Sequence, residues 1–70
     1  MPYTTESISA FVRQQAGPPR KISITKENRI LQRAQSMAGK SSLTEEDLQT
    51  IFDGEDVLLG RYKGYYLSQL

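Results

Sequence analysis

The chain has 70 residues, with no cysteine and no histidine. This length allows one small domain at most, and without cysteine no disulfide can stabilise it. Catalysis by a Ser–His or Cys–His pair is excluded, and so are the usual zinc sites, so we expect neither an enzyme nor a metal or other cofactor.

The net charge of +1 is unevenly distributed along the chain. Residues 13–40 hold seven basic side chains and a single acid, whereas residues 41–70 hold six acids and two basic side chains. This separation indicates either a polyanion-binding surface on one part of the molecule or two ordinary solvated faces. The longest aliphatic run is only three residues, and the N-terminus lacks the pattern of a signal peptide. We therefore expect a soluble, cytoplasmic protein that makes no membrane contact.

The first part of the chain predicts a short helix that Thr4 or Thr5 can cap. Its apolar side consists of Ile8, Phe11 and Val12. Residues 17–19, with the sequence Gly-Pro-Pro, end this helix because proline lacks an amide proton and restricts the residue before it. We expect residues 1–19 to be an N-terminal arm with a short helix, and residues 20–70 to be a single small domain.

Residues 21–25 alternate polar and apolar side chains, which predicts a short, half-buried β-strand. Ile22 and Ile24 would face the core of the protein. The opposite face would carry Lys21, Ser23 and Thr25.

A second helix is predicted directly after this strand, with Thr25 as its N-cap. Its apolar stripe consists of Ile30, Leu31, Ala34, Met37 and Ala38. Three basic residues follow the edge of the stripe at helical spacing: Lys26, Arg29 and Arg33. Gly39 lies where helices commonly end with a glycine in the left-handed conformation.

The clearest local signal is the start of a third helix at Thr44. Thr44 and Asp47 have the spacing of a capping box, and Leu43 can pack against Leu48 across the first turn. The acids of the first turn also suit the positive end of the helix dipole. Asp53 and Gly54 end the helix.

The last residues fit two structures. Leu59, Tyr62, Tyr66 and Leu70 have helical spacing, although two glycines weaken a helix there. Alternatively, Lys63 and Gly64 could form the turn of a small hairpin. We favour the helix.

Residues 20–53 run in the order basic strand, helix, short loop and capped helix. This order resembles the ribbon-helix-helix family of bacterial and phage repressors. The resemblance implies that strands of two chains pair antiparallel and enter the major groove of DNA. By position, it assigns base reading to Lys21, Ser23 and Thr25. The predicted fold is therefore mostly α, a small helical domain with one short N-proximal β-strand, ribbon-helix-helix-like and dimeric.

Two functions follow from these patterns. The first is a small DNA-binding transcriptional regulator, a repressor-like homodimer that contacts duplex DNA through a basic β-ribbon. Its DNA-binding residues would be Arg20, Lys21, Ser23, Thr25, Lys26, Arg29 and Arg33. The alternative is a small phage- or plasmid-type inhibitor or adaptor that binds a host enzyme or transcription protein. Its contact residues would be Glu45, Glu46, Tyr62, Tyr65 and Tyr66, although the tyrosines fit a small core as well.

Overall fold

The structure is a computed structural model that describes residues 3–70. Four helices follow one another along the chain. They are α1 (Thr5–Gln15), α2 (Ile24–Gln35), α3 (Glu45–Ile51) and α4 (Asp56–Ser68). Between residues 3 and 70 the β structure amounts to a single antiparallel bridge, in which the amide of Leu43 donates to the carbonyl of Tyr3 at 2.7 Å.

Helix α1 begins where the sequence predicts. Thr4 is its N-cap, and its hydroxyl accepts a hydrogen bond from the amide of Ser7 at 3.1 Å. The chain then turns sharply at Gly17, where φ is +104° and an added Cβ would lie 2.7 Å from the backbone of Arg20. Only glycine fits this combination of left-handed backbone and close approach.

The predicted strand at residues 21–25 is wrong, and with it the ribbon-helix-helix fold. Helix α2 already begins at Ile24, and the hydroxyl of Ser23, rather than that of Thr25, caps it by accepting from the amide of Lys26 at 3.1 Å. A lone strand would leave its amides and carbonyls unpaired, whereas a capped helix satisfies them within one segment. The period-two pattern is also wrong about the two isoleucines, because Ile22 packs against the core whereas Ile24 is 61% exposed, so they do not share a buried face.

The predicted end of the second helix is also corrected. Helix α2 ends at Gln35, with Ser36 as a right-handed C-cap, so Met37 and Ala38 lie in the turn that follows. Gly39 does not have a positive φ. Glycines with a positive φ instead follow α1, at Gly17, and α3, at Gly54, where φ is +79°.

The start of α3 confirms the predicted capping box. The hydroxyl of Thr44 accepts from the amide of Asp47 at 3.1 Å, and the carboxylate of Asp47 accepts from the amide of Thr44 at 2.9 Å. Leu43 and Leu48 are both buried in the core on either side of this cap. The reciprocal bonds fix where this seven-residue helix begins.

Helix α4 confirms that the tail is helical rather than a hairpin. Leu58, Leu59 and Tyr62 of this helix are buried, and Tyr65 and Tyr66 pack against the core one turn later. This burial outweighs the low helix propensity of Gly60 and Gly64, each of which costs about 1 kcal/mol relative to alanine.

All four helices contribute to one core. Its largest fully buried side chains are Tyr62, Phe11, Phe52, Ile8, Ile30, Leu48, Ile51 and Val12. Helix α1, from the segment predicted as an arm, supplies three of these residues and packs directly on α2. The N-terminal helix therefore shares its apolar face with the remainder of the chain.

Candidate functional site

The solvent-facing side of α2 is largely polar, apart from the exposed Ile24 at its first residue. Ile30 and Ala34 point into the core, so residues on the opposite side of the helix face solvent. That side carries Thr25, Asn28, Gln32 and Gln35, all exposed. It holds no acidic residue, because the only acid in α2, Glu27, lies toward the core side and is bound to Arg20.

Arg29 borders this face and is its most available cation. Its side chain is exposed and has no ion pair or hydrogen bond with any residue from 3 to 70. The spacing of Lys26, Arg29 and Arg33 places all three along one edge of the helix, as the sequence predicts. Their environments nevertheless differ.

Lys26 and Arg33 both interact with other parts of the protein. The ammonium group of Lys26 lies 3.2 Å from a carboxylate oxygen of Glu55, and the lysine side chain remains 49% exposed. The guanidinium group of Arg33 donates to the carbonyls of Ile51 and Asp53 at 3.3 and 3.2 Å. Arg33 therefore holds the C-terminal end of α3 against α2, a role that the spacing of charges did not reveal.

The three residues predicted to read bases do not form a common face. The hydroxyl of Ser23 is used as the cap of α2, and Thr25 lies on the exposed side of that helix. Lys21 precedes the helix, and its amide donates to the carbonyl of Gln15 at 2.7 Å. Arg20, which was assigned to the same surface, donates to the carboxylate of Glu27 at 2.7 Å.

Much of the acidic segment at residues 44–56 is also engaged within the protein. Lys40 and the amide of Thr44 bind the carboxylate of Asp47 and lower its pKa below the ordinary value of 3.8. Lys63 lies 2.9 Å from the carboxylate of Glu45, and this hydrogen bond raises the pKa of Lys63. Glu46 is exposed and forms no ion pair within the described part of the chain.

Tyr62 lies in the core and not on a contact surface. It is completely buried, and its hydroxyl lies 2.6 Å from that of Ser7 on α1. Burial raises the pKa of the Tyr62 phenol, and the hydrogen bond with Ser7 partly opposes this effect. Tyr65 and Tyr66 are half-buried, so only part of each ring is open to solvent.

Sequence reasoning missed a groove along α4. An open depression between the C-terminal half of α1 and α4 is lined by Phe11, Gln14, Gln15, Lys21, Arg61, Gly64, Tyr65, Ser68 and Gln69. A second depression adjoins it at the N-terminal end of α4 and shares Lys21 and Arg61 with the first. No sequence signal marks this groove, because its two walls are far apart along the chain.

Among residues 3–70, no cluster of three or more acidic side chains is arranged to hold a metal ion. Within the same residues, no helix has the length and apolar character needed to cross a lipid bilayer. Comparison of the chain with protein-family models, curated proteins and solved structures finds no match.

Proposed function

We propose that the protein is a small transcriptional regulator that binds duplex DNA by placing the exposed side of α2 in the major groove. The observation that carries this proposal is the acid-free polar face formed by Thr25, Asn28, Gln32 and Gln35, with Arg29 at its border. This proposal replaces the β-ribbon, for which residues 3–70 provide no strand.

The side chains on this face are those that recognise base edges. Asparagine and glutamine can form paired hydrogen bonds with adenine, arginine can form them with guanine, and threonine can contact either a base edge or the thymine methyl group. Helix α2 has 12 residues and is therefore about 18 Å long. With its side chains an α-helix is about 10–12 Å in diameter, which fits a major groove about 12 Å wide.

The flanking cations supply phosphate contacts. The side chain of Arg29 forms no ion pair within residues 3–70, so it can bind a phosphate without breaking another interaction. The side chain of Lys26 is 49% exposed and can approach a phosphate while its ammonium group stays 3.2 Å from Glu55. Lys21 adds a further exposed cation just before the start of the helix.

The experiment measures binding to mixed-sequence genomic duplex DNA between about 50 and 200 mM salt, where each phosphate contact contributes about −0.9 to the logarithmic salt slope. Arg29→Ala should weaken binding to all sequences and reduce the slope by about one. Arg13→Ala is the matched control, because Arg13 is an exposed arginine on α1 that also forms no ion pair in the described chain.

Sequence preference provides the second readout. Asn28→Ala and Gln32→Ala should each reduce discrimination at a selected site by about 1–3 kcal/mol and leave binding to random DNA largely unchanged. Salt-insensitive binding, or equal losses from Arg29→Ala and Arg13→Ala, would refute placement of α2 in the groove. Light scattering on the same samples tests the separate sequence-based prediction that the protein is a homodimer.

A further inference from the structure

The groove along α4 combines two available cations with an apolar end. Lys21 and Arg61 line both of its adjoining depressions and thus lie near its middle. Both side chains are exposed, and neither forms an ion pair with any residue from 3 to 70. Glu55, the acid that also lines the groove, is already bound to Lys26 at 3.2 Å. The middle of the groove therefore attracts an anion.

One wall of the groove contains a buried acceptor without a donor. Gln15 is only 8% exposed, and its Oε1 atom has no hydrogen-bond partner within the described chain. An unpaired buried carbonyl destabilises a folded protein, so a ligand that donates a hydrogen bond there gains affinity. Because Gln15 borders the groove, a small turn of its terminal amide presents this oxygen to a bound molecule.

The end of the groove near the start of α4 is apolar. Val57 is 72% exposed there, and the half-buried side chain of Ile22 lies on the same surface. An exposed valine beside a second aliphatic residue forms an apolar surface on which an aliphatic side chain of a partner can pack. The groove thus offers an apolar seat, a cationic middle and a hydrogen-bond acceptor.

We propose that this groove binds an extended segment of a partner protein in which an Asp or Glu is followed or preceded by aliphatic residues. The carboxylate would bind Arg61 and Lys21, a backbone N–H would donate to Gln15, and an aliphatic side chain would cover Val57. From residue 57 to residue 68, α4 is about 17 Å long, a distance that about five extended residues span.

The same features disfavour a DNA backbone in this groove. A DNA backbone carries acceptors but no donor for Gln15, and it offers no aliphatic group for Val57. A peptide supplies a donor at almost every residue, and its side chains alternate between the two sides of the extended chain. The groove shares Lys21 with the border of the DNA-binding face proposed for α2, but Arg61 and Gln15 belong to the groove alone. Because the variants of the two tests differ, either proposal can fail without the other.

The test uses the full-length protein and an array of peptides of about seven residues. Each peptide has a central Glu with Leu or Val on either side, and its matched partner has Gln in place of Glu. The best binders are then measured in solution by fluorescence polarisation. We expect the Glu peptides to bind more tightly than their Gln partners and their affinity to fall as salt is raised.

Two variants test the contacts. Arg61→Ala should weaken binding of the Glu peptides by about tenfold or more, because it removes a charge-assisted contact. Gln15→Leu should weaken it by about three- to tenfold while leaving the protein as stable as before or more stable, since it removes an unpaired buried oxygen. Arg29→Ala is the control for nonspecific charge effects and should leave peptide affinity unchanged.

Three outcomes would overturn the proposal. The first is an array in which no Glu peptide binds more tightly than its Gln partner. The second is equal loss of peptide affinity from Arg61→Ala and Arg29→Ala. The third is a strong loss of DNA binding from Arg61→Ala with no effect on peptides, which would assign the groove to nucleic acid. Circular dichroism of each variant separates these results from unfolding.

Discussion

Replacing Tyr62 with Phe removes a single hydroxyl from the middle of the core. The Tyr62 ring is fully buried, and its centroid lies 5.5 Å from the ring centroid of Phe52 and 5.6 Å from that of Phe11. Its hydroxyl lies 2.6 Å from the Oγ atom of Ser7. Loss of this hydrogen bond should lower the free energy of unfolding by about 1 kcal/mol. In a domain of this size, that change corresponds to a decrease in Tm of about 4–8 °C.

Removing the whole Tyr62 ring should lower the free energy of unfolding further. Tyr62→Ala should cost about 3–5 kcal/mol, because a buried aromatic ring is lost and a cavity remains. A protein of this length has a total stability of about 4–10 kcal/mol, so the Ala variant should lose a large fraction of its stability. Thermal unfolding followed by circular dichroism measures both variants.

Tyr65→Phe is the matched control. Tyr65 lies on the same helix, is half-buried, and has a ring centroid 5.5 Å from that of Phe11, but its hydroxyl makes no hydrogen bond within residues 3–70. We therefore expect a change within about 0.5 kcal/mol. Equal effects of the two Tyr-to-Phe changes would show that Tyr62 is not the buried centre of the core. Such a result would support the alternative hypothesis, in which the tyrosines contact a partner protein.

The pH dependence of Tyr62→Phe checks the same burial independently. Burial raises the pKa of the Tyr62 phenol above 10.0, so the folded protein holds this proton at a pH where the unfolded chain has lost it. Its contribution to stability is full below about pH 10 and decreases as pH rises further. Wild-type stability should therefore fall between about pH 9 and 11 more steeply than that of the Phe variant. Parallel curves would contradict the buried phenol.

The remaining predictions concern α3 and its supports. Thr44→Ala should lower stability by about 1 kcal/mol through loss of the cap, and Leu48→Ala by about 2–5 kcal/mol through a core cavity; urea midpoints that do not move would contradict a packed, capped helix. The pKa of Asp47 is lowered by Lys40, so the stability it provides is present above about pH 3.8 and lost as pH falls below it. Asp47→Asn should flatten this acid dependence, as measured by urea unfolding across the acid range. Arg33→Ala should cost about 1 kcal/mol by releasing two backbone carbonyls, yet it should reduce DNA affinity less than Arg29→Ala does; a larger loss of DNA affinity would place Arg33 at the phosphates.

The sequence alone determined the features that depend on neighbouring residues. A capping box needs only a threonine and a hydrogen-bonding residue three positions later, so the starts of α1 and α3 could be predicted correctly. The apolar spacing of residues 59, 62 and 66 likewise predicted the final helix, because burial of one face outweighed two glycines.

Tertiary structure decided the features for which two local solutions are close in free energy. Five alternating residues at 21–25 suit either a strand or the start of a helix. The helix forms because residues 3–70 place no second strand beside this segment to pair with its backbone. Contacts between distant segments decide three further features, which composition and periodicity cannot predict. These are the burial of Tyr62, the hydrogen bonds from Arg33 to the end of α3 and the unpaired oxygen of Gln15. The sequence separates basic and acidic segments, but packing pairs charges across them, as Lys26 with Glu55 and Lys40 with Asp47, and so decides which charges remain free to bind a partner.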